Sequence, residues 1–239
     1  MPEKEALEAA VARAIGFLAS TREPQALIWL AQIHRRFGIQ EFASALQRFD
    51  ELLAGQPAEA PKLRLLRRIA EPGNPLDPGD LEGVTHTSDR IIVAALYSDQ
   101  LEPPSFYPDV LGQALRQGGY YCTHALLAWV WLQEYGGQVE LPADFAADLF
   151  AATAAIVNQD PSSVTDLKLE AAAFLFLAGQ GARVDRGFVR AVTRTQNADG
   201  GWGMTRASPG VSDWHGTVLG LLLLLQVLSE PGLEASRET

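Results

Sequence analysis

A chain of 239 residues, 47% hydrophobic and 20% charged, can bury a sizeable core as one large domain or two small ones. A formal net charge of −10 without a long basic stripe argues against a nucleic-acid partner. The single cysteine, Cys122, rules out an internal disulfide and a thiolate-rich zinc site within one chain.

Glu3, Lys4 and Glu5 make the start too acidic and polar for a signal peptide, so a cytoplasmic location is expected. Helical periodicity dominates from there on, and no segment alternates like a strand between hairpin turns; the expected fold is all-α. Helices are expected over 4–20, 24–37, 40–54 and 59–70. His34, beside Arg35 and Arg36, reads as a helix-end or surface residue. Arg64, Arg67 and Arg68 alternate with Leu65, Leu66 and Ile69 and read as a solvated helix face. The prolines and glycines of 71–83 cannot continue a helix. Residues 1–70 therefore form an N-terminal helical segment, either a cap or degenerate hairpins of the same domain, with 71–84 as a linker and 85–230 carrying the site.

Further helices are expected over 87–99, 107–117, 123–136, 143–158, 164–179, 185–196 and 213–229. Stretches 91–96, 125–132, 171–177 and 219–225 are apolar nearly all round, and such helices must be buried on all faces. The helices near 107–117, 143–158 and 185–196 are amphipathic, which predicts helical hairpins with an inner layer wrapped by an outer one. Trp129 and Trp131, two residues apart, cannot both face one side. The apolar run 218–228 reaches half of the roughly 20 residues needed to cross a bilayer, and Gln226 interrupts it, so no membrane span is expected. The polar tail after Pro231 is expected to fray.

Four of the apolar helices begin alike, with His86, His124, Asp166 or His215 near the first turn. The intervals of 38, 42 and 49 residues between these positions suit a repeated hairpin rather than a local metal motif. If the hairpins stack around one axis, the side chains converge at one rim. His86, His124 and His215, with Asp166 as a fourth ligand, suit a divalent transition metal: zinc, iron or copper. Glu170 lies four residues after Asp166, on the same helix face and within an apolar run, which suits a general acid/base. Tyr121, next to Tyr120, stands at the mouth, where a phenol can act on a substrate. Asp89 and Arg90, three and four residues after His86, and Trp214 are ligand-binding candidates. Two alternatives stay open: His and Asp near helix starts often bond loop backbone, and helix N-termini attract anions rather than cations. Cys122 reads first as a small buried hydrophobe and second as a ligand or nucleophile.

Phe188 and Val189, then Gln196, then Asp199-Gly200-Gly201-Trp202-Gly203, lead to Asp213-Trp214-His215-Gly216-Thr217 and an apolar helix. This order resembles a repeat of the terpenoid cyclase and protein prenyltransferase superfamily, clearly over about 164–225 and more weakly over 85–140. Glycines reverse the chain, Gln196 can cap a helix end and Trp202 can cover the turn. The resemblance implies an α/α toroid or part of one. It also implies a zinc site at the starts of inner helices, with Cys122 and His215 in comparable places. The aspartate-rich motifs of the cyclases and ionising synthases are missing, so fold is implied more than reaction. The expectation is a metal-dependent enzyme acting on a small molecule at the rim of a partial α/α toroid. One alternative is non-catalytic binding of an isoprenoid or other apolar or anionic ligand in the toroid cavity. Another is a helical interaction domain whose partner is a second copy of the chain.

Overall fold

The computed structural model describes residues 2–55, 60–203 and 210–230. Among these residues the fold is all-α. Its α-helices are α1 (Pro2–Leu18), α2 (Pro24–Phe37), α3 (Ala45–Leu53), α4 (Ala60–Leu66), α5 (Thr87–Leu96), α6 (Tyr107–Gln117), α7 (Gly119–Tyr135), α8 (Phe145–Asn158), α9 (Asp166–Leu177), α10 (Arg186–Arg194) and α11 (Trp214–Ser229). Short 3-10 turns cover Gln40–Phe42, Arg67–Ile69, Pro78–Gly83 and Gly181–Arg183. The helix expected over 40–54 is thus split at its start, and the one expected over 59–70 tightens in its last turn. Residue 59 and the expected frayed tail lie outside the described residues. Helix α7 starts four residues earlier than its apolar run suggests. Gly118 and Gly119 both hold positive φ (72° and 56°), and this reversal opens α7 directly behind α6. No helix among the described residues is long and apolar enough to cross a membrane.

The chain divides into two compact units, residues 1–21 with 154–239 and residues 22–153; the division falls inside α8. In the first unit α11 is the central element. Its buried residues run without a break from Gly216 to Val227, and it packs against α9 and α1. Each leucine buried there stabilises the fold by about 1.5–3 kcal/mol relative to exposure. The one polar side chain in that stretch with a long reach, Gln226, donates to the Ala173 carbonyl of α9 at 3.1 Å. Helix α10 is amphipathic: Phe188, Val189, Ala191 and Val192 are buried, while Arg186, Arg190 and Arg194 stay exposed.

The turn that follows α10, Gln196 to Trp202, is fixed by side chains. Gln196 Nε2 donates to the carbonyls of Gly200 (2.7 Å) and Ala10 (2.8 Å), so the group that closes the turn also holds α1. Gly200 has φ 93°, and a Cβ there would collide with the Arg13 carbonyl. Trp202 is buried, donates from Nε1 to the Val192 carbonyl at 2.9 Å, and lies on Gly220, where a Cβ would stand 2.7 Å from the ring.

The second unit packs α5 against α7, with α6 on α7 and α2 on α3. Trp131 is fully buried, whereas Trp129 is half-buried and meets Phe150 edge-on at 4.9 Å. The arginine run is a solvated face only in part: Arg64 is exposed and Arg67 half-buried, but Arg68 is buried. Arg68 is 2% exposed, lies 4.7 and 4.3 Å from the Tyr97 and Tyr135 ring centroids, and donates to Asp99 at 2.6 Å. Arg64 pairs with Asp80, and Arg67 with Asp50 and Glu71. Stacking on two aromatic faces offsets the cost of withdrawing the Arg68 charge from water. His34 closes α2 by bonding the Ile39 carbonyl through Nδ1 at 2.8 Å.

Candidate metal centre

Asp166 is the first residue of α9, Glu170 follows one turn later, and His215 is the second residue of α11. The close packing of α9 and α11 brings these three together. His215 Nδ1 meets Asp166 Oδ1 at 2.7 Å, and Nε2 lies 3.7 Å from Glu170 Oε2. The carboxylates are 1% and 2% exposed, whereas the imidazole is 30% exposed, so the cluster is buried on its anionic side and reachable on the other. One donor atom from each residue can be chosen so that all three lie within 4.8 Å of one another, and the group can hold a metal ion.

Helix capping frees these side chains to meet. Thr165 accepts from the Lys168 amide and Asp213 from the amides of His215 and Gly216, so Asp166 and His215 are not needed as caps. Gly216 lets the Trp202 turn lie close on the start of α11: a Cβ there would stand 3.2 Å from the Trp202 carbonyl, whereas Asp166 Oδ1, at 3.6 Å, would be in ordinary contact. Burial pushes the His215 imidazole toward its neutral form, but the Asp166 hydrogen bond and the charges of Asp166, Glu170 and Asp213 outweigh it, leaving the pKa raised. Asp213 is the residue whose electrostatic role the sequence argument missed. The signal was there, an Asp opening an apolar helix with glycine three positions on. Its Oδ2 is buried without a hydrogen-bond partner among the described residues. Trp214 packs edge-on against the His215 ring, centroids 5.2 Å apart.

The other candidates belong to the second unit. His86 is exposed at the N-cap of α5 and makes no capping bond with its side chain. His124 is the sixth residue of α7, and its Nδ1 bonds the Tyr120 carbonyl of its own helix at 2.7 Å. Tyr121 is exposed. Asp89 lies 3.9 Å from Lys62, and Arg90 donates from Nε to the Val84 carbonyl at 2.8 Å. Cys122 is fully buried, 3.5 Å from the Thr153 hydroxyl, with burial pushing its thiol pKa up, which suits a packing role rather than a nucleophile. No protein-family model matches the chain, and no curated protein or solved structure matches it.

Proposed function

We propose that the protein is a metal-dependent enzyme acting on a small molecule, with Asp166, Glu170 and His215 as the ligands of one divalent transition metal. The observation that carries this is the burial of two carboxylates against a single, partly exposed imidazole. Two ionised carboxylates this close repel each other in a buried setting. A proton on His215 balances one charge, whereas a divalent cation balances both and leaves the imidazole neutral to ligate. Asp213 adds further negative potential. This answers the expectation that helix N-termini repel cations, because full carboxylate charges outweigh half charges of the helix dipole.

One imidazole and two carboxylates favour zinc or iron over copper. Three protein ligands leave positions for water and substrate, and the ion would supply Lewis acidity or a bound hydroxide there. Trp214 screens one side of His215 and offers an aromatic edge to a substrate entering from the exposed side. The repeat-like Gln196–Trp202 turn and the alternation of apolar helices such as α11 with amphipathic ones such as α10 are what support the α/α-toroid reading.

A second reading is favoured by the 2.7 Å Asp166–His215 bond itself. Here Asp166 fixes the ring, Nε2 faces Glu170, and the pair moves protons without a metal. Metal content by inductively coupled plasma mass spectrometry, on protein purified without a polyhistidine tag, separates the two. Near one equivalent of zinc or iron, lost in Glu170→Gln, is the expected result. No metal as purified and no zinc uptake on titration would remove the metal and leave the acid–base pair.

A further inference from the structure

A cavity of about 380 Å³ opens at the start of α5 in the second unit, within the roughly 300–1,000 Å³ of small-molecule sites. Val84, Ile91, Val93, Ala94 and Val110 line it. Tyr97 and Tyr107 also face it, but their hydroxyls donate to the carbonyls of Leu65 (3.1 Å) and Ile91 (2.6 Å), so both contribute aromatic surface rather than polar groups. Leu101 and Phe106, 49% and 62% exposed, carry the same apolar lining out to solvent. Covering such surface is favourable, and exposed apolar side chains that continue a cavity wall mark a binding site rather than scatter.

Arg90 is the one cationic side chain in this lining. Its Nε donates to the Val84 carbonyl at 2.8 Å, which restrains the exposed side chain and leaves the two Nη groups to act as a fork; no carboxylate pairs with it among the described residues. Asp89, its neighbour in sequence, is turned to Lys62. The first turn of α5 adds partial positive charge on the same side, since Thr87 also lines the cavity. Glu102, exposed, is the acidic lining residue and weighs against a doubly charged head. One guanidinium and an apolar chamber match one carboxylate and one hydrocarbon body.

We propose that this cavity binds a medium-chain carboxylic acid, its alkyl body against Ile91, Val93 and Val110 and its carboxylate on the Arg90 fork. The proposal does not rest on the metal reading, which concerns residues of the other unit. Isothermal titration calorimetry on the full chain with hexanoate, octanoate and the uncharged 1-octanol tests it. Octanoate should bind roughly tenfold or more tighter than hexanoate, about fourfold for each methylene buried. It should also bind more tightly than 1-octanol, and Arg90→Gln should erase that advantage while leaving 1-octanol unchanged. Ala94→Trp, which fills the chamber, should remove binding of all three; the helical circular dichroism of both variants is checked alongside. Equal affinity for octanoate and 1-octanol, unaltered by Arg90→Gln, would overturn the carboxylate site. Failure of octanoate to bind would overturn it too, including the case in which Leu101 and Phe106 are covered by a second copy of the chain.

Discussion

Helices α9 and α11 in one unit, and α5 and α7 in the other, are both closely packed pairs of apolar helices whose second member carries a histidine near its start. Only the first pair gathers its polar side chains. There, Thr165 and Asp213 cap the two helices, and the side chains of Asp166 and His215 are released to bond each other. In the second pair, His86 sits in the capping position itself, and His124 lies a full turn deeper, bonded to its own helix through the Tyr120 carbonyl. The position of a side chain relative to the first helical residue decides whether it looks across an interface or along its own backbone. A shift of a few residues in the start of α7, caused by Gly118 and Gly119, is enough to change the outcome.

The sharpest break of this contrast is by histidine. His215→Ala should take bound metal from near one equivalent to background, whereas His86→Ala and His124→Ala should retain it, read by the same mass spectrometric assay. Loss in His124→Ala with retention in His215→Ala would move the centre to the other pair. Next in size, Trp202→Ala should cost about 3–5 kcal/mol by urea unfolding, the range for a fully buried aromatic. Half-buried Trp129→Ala should cost clearly less. An equal cost would mean that the Gln196–Trp202 turn is not the structural clamp its contacts describe. Glycines give a smaller contrast of opposite sign. Gly220→Ala pushes a Cβ into the Trp202 ring and should destabilise by about 1–3 kcal/mol. Gly112→Ala in α6 meets only the tip of Arg116 at 3.4 Å and should stabilise by about 0.5–1 kcal/mol.

The smallest effect is one of pH. The raised His215 pKa means that its protonated form favours the folded state, so this contribution is fully present below the ordinary imidazole pKa of about 6.5. It is lost as pH rises through the raised value. Chelator-treated protein should lose thermal stability over that window, and His215→Gln should flatten the profile. With metal added, the dependence should reverse, because an imidazole ligand must be neutral and affinity grows with pH.

Glu170 was legible as a special residue because a carboxylate inside an apolar helical run needs compensation, and its spacing from Asp166 puts both on one face. Its neighbour across the interface was not. Both histidines stand near the start of an apolar run, and the difference lies in where the helix begins: Asp213 caps α11 two residues before His215, whereas Gly118 and Gly119 open α7 with His124 as its sixth residue. The burial of Arg68 was equally hidden: a guanidinium beside leucines reads as a solvated helix face until Tyr97 and Tyr135, far along the chain, are known to flank it.

What the amino-acid order alone settled is the all-α class, the helices and their buried or amphipathic character, and the shared face of Asp166 and Glu170. These follow from 3.6-residue periodicity, glycine and proline breaks and capping residues, all of which act over one or two turns. The tertiary structure decided which histidine meets the carboxylates, how Gln196 ties the turn to α1, and which tyrosines flank Arg68. Those outcomes depend on where each helix begins to within a residue and on which neighbour it packs against, and both are fixed by contacts between segments up to 186 residues apart.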